Sequence, residues 1–266
     1  MTWGFSSFET RFRWAAALWA ILMTVWCMSP LPWQARAIGG LVWVAITVGV
    51  SLRFAWWRPR LPRETPICLV ADVDVALLEP LVRNLQAAGY RFQTVGEALE
   101  APVRKAVALT FDGGTRDHFT VLLPFLRRMG VKATCFVSDS GMRDAEHLKP
   151  LELQEMARSG LIELGGWVDD TAGDDAALRQ AVVRGRRWLT GVTGHLPVAF
   201  AYAPGPKAEA FAQAAEAAHY RLALTEGTGR PHPFAQAPFA VTRRRLPAGL
   251  RPWQAYLLAT RGRYRW

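Results

Sequence analysis

Cysteine is scarce in this sequence: there are three in 266 residues, with no Cys-x-x-Cys pair among them. That spacing gives no support to a cysteine-built zinc site, and nothing in it calls for an oxidising compartment. Cys27 in an apolar run, and Cys68 and Cys135 in predicted strands, read as buried free thiols. A Gly-rich phosphate loop, a Ser/His/Asp order and a Cys/His pair are all missing, so the chemistries they serve have no foothold. Internal repeats and low-complexity tracts are absent too. Lysine contributes little to the formal net charge of +10, which is nearly all arginine. The arginines are spread out and do not interleave with aromatics as in a nucleic-acid module, so no nucleic-acid partner is expected.

What the chain does have begins with two apolar segments. No charged residue lies between Trp14 and Ala35, and a run of about 20 such residues is long enough to cross a bilayer. A second uncharged run, 37–52, is shorter; Arg53 is placed to snorkel, and Trp56 and Trp57 fit an interfacial belt. Ser29-Pro30-Leu31-Pro32 reads as the turn between them. The expectation is a membrane anchor over residues 1–57, a helical hairpin with spans at 14–33 and 37–57. Arg11 and Arg13 precede the first span, Arg36 alone sits in the connection, and Arg53, Arg58, Arg60 and Arg63 follow the second. The positive-inside rule then puts the larger C-terminal part in the cytoplasm, at the inner (plasma) membrane. A rival is a signal peptide cleaved after Ala35-Arg36-Ala37, which leaves one span and the same cytoplasmic placement.

Residues 58–65 form a Pro/Arg-rich linker, and after it strand and helix signals alternate. Strands are expected at 67–71, 90–95, 106–111, 131–137, 161–164, 198–202 and 220–225. Helices are expected at 76–88, 119–129, 150–159, 174–190 and 207–218. Gly89, Gly130 and Gly160 stand where helix C-termini need them. Such alternation argues for an α/β fold with parallel strands and covering helices, either a closed barrel or an open doubly wound sheet. Residues 248–266 read as a basic C-terminal tail.

The most informative stretch is Ala106-Val-Ala-Leu-Thr-Phe-Asp-Gly-Gly114: an apolar strand ending in the carboxylate of Asp112. A strand-end carboxylate followed by a loop is a usual place for catalysis in such folds. With 107–137 (VALTFDGGTRDHFTVLLPFLRRMGVKATCFV), it resembles the NodB-type polysaccharide deacetylases, carbohydrate esterase family 4. The resemblance covers 66–247 and implies a distorted (β/α)7-type barrel. In that family the motif is Thr-Phe-Asp-Asp-Gly, its first Asp the general base and its second a metal ligand. Asp112 matches the base, and Gly113 stands at the ligand position. The second motif, His-Ser/Thr-x-x-His after Gly-x-x-Glu-Ile-Gly, corresponds to 160–171, where Trp167 and Thr171 replace the two histidines. A catalytic zinc usually needs three His, Asp, Glu or Cys ligands, and all three family positions are substituted. The third motif corresponds to Phe200-Ala-Tyr-Ala-Pro-Gly205, with no arginine to orient the base and Pro204 lacking an N–H for the oxyanion.

The resemblance therefore implies a membrane-anchored deacetylase-like protein whose hydrolytic chemistry is lost, working in surface or exopolysaccharide biosynthesis of the N-acetylglucosamine type. Asp112 is the vestigial base position. Trp167 and Tyr202 are the candidate sugar-contacting aromatics, although Trp167 also reads as filler for vacated space. His219 and His232 are weak candidates for the family's late catalytic histidine, and Asp112, His118 and Asp170 for a replacement cation site. Asp174 and Asp175 read more simply as helix-capping residues. No cofactor is expected on this reading; zinc or another divalent metal is expected if the chain is an active N-deacetylase with a rearranged site. A third possibility is an accessory subunit of a membrane glycosyltransferase, with the hairpin as the working part. The expected partners are the membrane and a polysaccharide or the machinery that makes it.

Overall fold

Both apolar segments are helical in the computed structural model, which describes residues 8–53, 67–140, 146–168, 174–228 and 234–262. Helix α1 (Phe8–Cys27) and helix α2 (Trp33–Arg53) pack on each other through Trp19 and Trp43, whose rings stack at 4.1 Å. The Trp19 indole N–H donates to Thr47 Oγ1 at 2.9 Å. Gly39 permits this approach, because a Cβ there would lie 2.3 Å from the Trp26 ring. Trp33–Val50 is long and apolar enough to cross a membrane, with a mean hydropathy of 1.3, whereas the apolar part of α1, Trp14–Cys27, is shorter. Cys27 is exposed on α1 and Cys135 is buried in a strand, so the expectation of buried thiols holds for the second and not for the first.

Among the described residues eight parallel strands follow: β1 (Ile67–Val70), β2 (Arg91–Phe92), β3 (Ala106–Asp112), β4 (Ala133–Val137), β5 (Ile162–Trp167), β6 (Ala199–Tyr202), β7 (Leu222–Glu226) and β8 (Val241–Arg245). Seven of them close a ring, because β1 pairs with β8 on one edge and with β3 on the other. The short β2 adds to the first residues of β3, whose remaining edge goes to β4. This is the expected (β/α)7-type barrel. Period-two alternation sorts its side chains. Ala108, Phe136, Ala199, Ala201, Leu222, Leu224 and Val241 make one buried inner cluster. Their neighbours Phe111, Cys135, Phe200 and Tyr202 point outward into clusters beneath the helices.

The covering helices are α3 (Val75–Ala87), α4 (Val95–Glu100), α5 (Leu123–Met129, after a π-helical turn at His118–Leu122), α6 (Pro150–Arg158), α7 (Asp175–Thr193), α8 (Ala208–Ala217) and α9 (Pro252–Arg261). Asp74 and Asp174 cap α3 and α7 by accepting backbone N–H bonds, as expected for the latter. Three expectations are corrected. The strand at 90–95 shrinks to two residues because Thr94 and Glu97 form a capping box that starts α4. Val241–Arg245 is a strand that the pattern did not announce. The segment read as a basic tail folds in large part into α9, which buries Ala255, Tyr256, Leu257 and Ala259.

Candidate functional site

The strands end together at one mouth, and the inward positions nearest it carry the polar groups. β3 delivers Asp112 there, with a side chain 10 % exposed. The chain then turns sharply: Gly113 has φ +97° and Gly114 φ +68°, both in the left-handed region. A Cβ at Gly114 would press on Val137 at 3.0 Å, whereas one at Gly113 would meet nothing within 4 Å. Gly113 is thus set by backbone conformation, and Gly114 by conformation and contact.

The carboxylate of Asp112 is held by an arginine from another strand. Arg243 of β8 donates from Nη1 to Oδ1 at 2.6 Å and from Nη2 to Oδ2 at 2.9 Å. The same Nη1 also donates to Thr110 Oγ1 at 3.2 Å, and the guanidinium lies over the Phe136 ring, 5.2 Å from its centroid. Its side chain is fully buried. A buried guanidinium is costly unless paired and hydrogen-bonded, and this fork-to-fork geometry is the strong form of that pairing. Around the rim the pattern repeats. Arg245 donates to Glu226 at 2.9 and 2.6 Å and approaches Asp72 at 3.5 Å. The hydrogen bonds from Arg245 hold the Glu226 carboxyl below its ordinary range. Asp72, Asp112 and Glu226 thus alternate with Arg243 and Arg245. Beside them Pro204, Glu226 and Arg245 line a groove of about 310 Å³.

Trp167 ends β5 and packs against the inner cluster, half-buried. It sits two residues past Gly165, which is level with Phe136, itself level with Asp112. The structure therefore puts Trp167 at the same mouth as Asp112. Two glycines precede it, one facing the barrel interior and one facing the helices. A Cβ on Gly165 would meet the Phe136 ring at 2.5 Å, and one on Gly166 the Tyr220 hydroxyl at 2.2 Å.

Tyr202 is a correction. It is 2 % exposed, stacks on Phe211 at 5.7 Å, and donates its hydroxyl to Phe239 O at 3.0 Å. Parity along β6 turns it outward, under α7 and α8, so it is a core residue and does not join Asp112. His118 is buried, with Nδ1 lacking a partner among the described residues, and burial pushes its pKa below the usual imidazole value against the pull of Asp117 and Asp112. His219 is exposed at the connection leading into β7. Thr171, Asp170 and His232 lie outside the described residues. Among the described residues no three His, Cys, Asp or Glu side chains come together. Sequence reasoning missed Arg243. Its signal was the alternation Val241, Arg243, Arg245, obscured by three consecutive arginines.

Residues 100–223 match the model of the polysaccharide deacetylase family. The Bacillus subtilis (strain 168) protein YxkH, whose name assigns it to the polysaccharide deacetylases, is 27 % identical over 121 residues. That match covers 40 % of this chain and 43 % of the relative, so the chain spans less than half of that protein. Among solved structures, the Streptococcus pyogenes deacetylase PplD in complex with acetate superposes with a TM-score of 0.63 at 20 % identity, covering 77 % of this chain and 99 % of that one. The BpsB deacetylase domain of Bordetella bronchiseptica gives 0.59 at 16 % identity, covering 70 % and 97 %. IcaB of Ammonifex degensii gives 0.59 at 19 %, covering 74 % and 98 %. At these identities the structures speak to the fold, and they agree with the barrel described above. Motif and family match concur over the same stretch: residues 100–223 are similar to the polysaccharide deacetylase family, and the barrel agrees with the solved structures in fold.

Proposed function

We propose that this chain is a membrane-anchored, catalytically degenerate member of the family that binds glycan in surface or exopolysaccharide biosynthesis. The observation that carries the reading is the chemistry of the mouth. Gly113 offers no donor, and the indole of Trp167 is a hydrogen-bond donor with no lone pair for a metal. A fully buried guanidinium already engages both oxygens of Asp112. Such a donor set does not fit the three-ligand site of a catalytic zinc. Without a metal to lower the pKa of its water, one carboxylate is a poor activator of water for amide hydrolysis. The rim's carboxylates and guanidiniums, next to the Trp167 indole, suit sugar hydroxyls and a pyranose face instead.

In this reading residues 1–57 anchor the protein, 58–65 link, and the barrel works in the cytoplasm at the inner membrane. The glycan partner draws support from the match of residues 100–223 to the polysaccharide deacetylase model. Metal analysis of the purified chain, paired with an assay for acetate release from chito-oligomers, tests the reading. Substoichiometric metal and no acetate are expected. Tight zinc binding with acetate release would overturn it in favour of an active N-deacetylase. An active alkaline phosphatase fused at the C-terminus would overturn the cytoplasmic placement.

A further inference from the structure

The outer layer of helices carries a feature that the barrel mouth does not use. Helix α7 places Arg179, Arg184, Arg186 and Arg187 within nine residues. Two are engaged: Arg184 donates to Asp139 at 2.9 Å, and Arg186 donates to His219 O at 3.2 Å while lying over the Tyr220 ring. Arg179 and Arg187 are exposed and make no ion pair among the described residues. Eight residues apart, they stand roughly 12 Å from each other along the helix and on neighbouring sectors of one face. Between them runs an open groove of about 790 Å³, bounded by α7 and Ala217 of α8 and floored by Val183 and Trp188. Trp188 is half-buried, with part of its ring against the main core and part in the groove.

We propose that this groove binds an acidic polysaccharide, a linear chain bearing carboxylates of the uronic-acid kind. The guanidiniums supply the charge complement: each presents a planar fork that takes a carboxylate through two N–H donors. They are strung out along the groove, which suits a polymer with repeated charges and not a single phosphate. The indole supplies an apolar face for a sugar ring, with an N–H at its edge. The groove is open, which admits a chain that runs on beyond it. The inference is independent of the mouth, since an active, metal-bearing mouth would leave it standing.

The test is calorimetric titration of the full chain in neutral detergent with three probes: an octamer of galacturonic acid, a neutral chito-oligomer and octaglutamate. The galacturonate octamer is expected to bind, to weaken steeply with added salt, and to lose at least about tenfold in affinity in the Arg179→Gln/Arg187→Gln variant, whose exposed positions leave the fold intact. Trp188→Phe is expected to weaken the sugar probe while leaving octaglutamate unchanged. Absence of galacturonate binding, or equal affinity in the double variant, would overturn the proposal. So would octaglutamate binding as tightly as the sugar, which assigns the groove to an acidic protein segment.

Discussion

Arg243 grips Asp112 from two strands away: the guanidinium of β8 reaches past β1 to the end of β3 and meets both carboxylate oxygens, at 2.6 and 2.9 Å. No backbone ladder joins those two strands directly. The pair is therefore a side-chain clasp across the last seam of the barrel.

Breaking one half of the clasp leaves a charge in a nearly water-free place. Arg243→Met and Asp112→Leu are each expected to cost about 3–5 kcal/mol in denaturant unfolding. The double variant should be far less damaged than the sum of the two, because both charges leave together. Additive losses would mean that the two residues are not coupled.

Gly165→Ala is expected to destabilise by about 1–3 kcal/mol, because its methyl group collides with Phe136 at the centre of the barrel. Phe136→Leu in the same chain should recover part of the loss. Gly113→Ala meets no atom within 4 Å, so its cost is limited to the φ of +97°, about 1–2 kcal/mol. Thermal melts of the three variants check both statements, and a Gly165→Ala melt equal to wild type would contradict the packing.

Burial lowers the pKa of His118 in the folded chain, so the unfolded chain binds its proton first as pH falls. The folded state then holds its full margin above about pH 6.5 and loses part of it as pH drops below that value toward the lowered pKa. His118→Phe removes this dependence. The stability difference between variant and wild type should therefore shift in the variant's favour on going from pH 7.5 to 5.5. A constant difference across that range would show His118 to be a bystander.

The two N-terminal helices meet through Trp19 and Thr47, with Gly39 against Trp26. A Trp19→Cys/Thr47→Cys pair in a Cys27→Ser chain should cross-link readily. Gly39→Leu should reduce the yield by forcing the helices apart, which gel shift under non-reducing conditions reads. Equal yields would refute the close approach.

Much of this was legible in residue order. The run 106–111 is apolar but for Thr110 because a barrel strand is buried on both faces, and Gly130 sits at a helix end with φ +62°. Asp112 announced itself as the polar residue closing that run. Tyr202 misled because its place in a motif was weighed and its parity was not. Ala199 and Ala201 are small and fit the narrow interior, which sends Phe200 and Tyr202 outward. β8 hid because a buried arginine reads as surface until its partner is known, and that partner lies 131 residues earlier. α9 hid behind the arginines at its two ends, which made the segment read as a basic tail.

Closure of the ring has a consequence for how the protein is made. β1, the first barrel strand to leave the ribosome, finds its neighbour β8 only after about 170 more residues have been synthesised. Until Val241–Arg245 emerge, β1 and β7 each keep an unpaired edge, the kind of surface that invites pairing with other chains. Long-range pairing of this sort also folds slowly. A nascent chain halted before residue 241 is thus a half-open sheet, and its aggregation risk falls when the final strand arrives carrying Arg243.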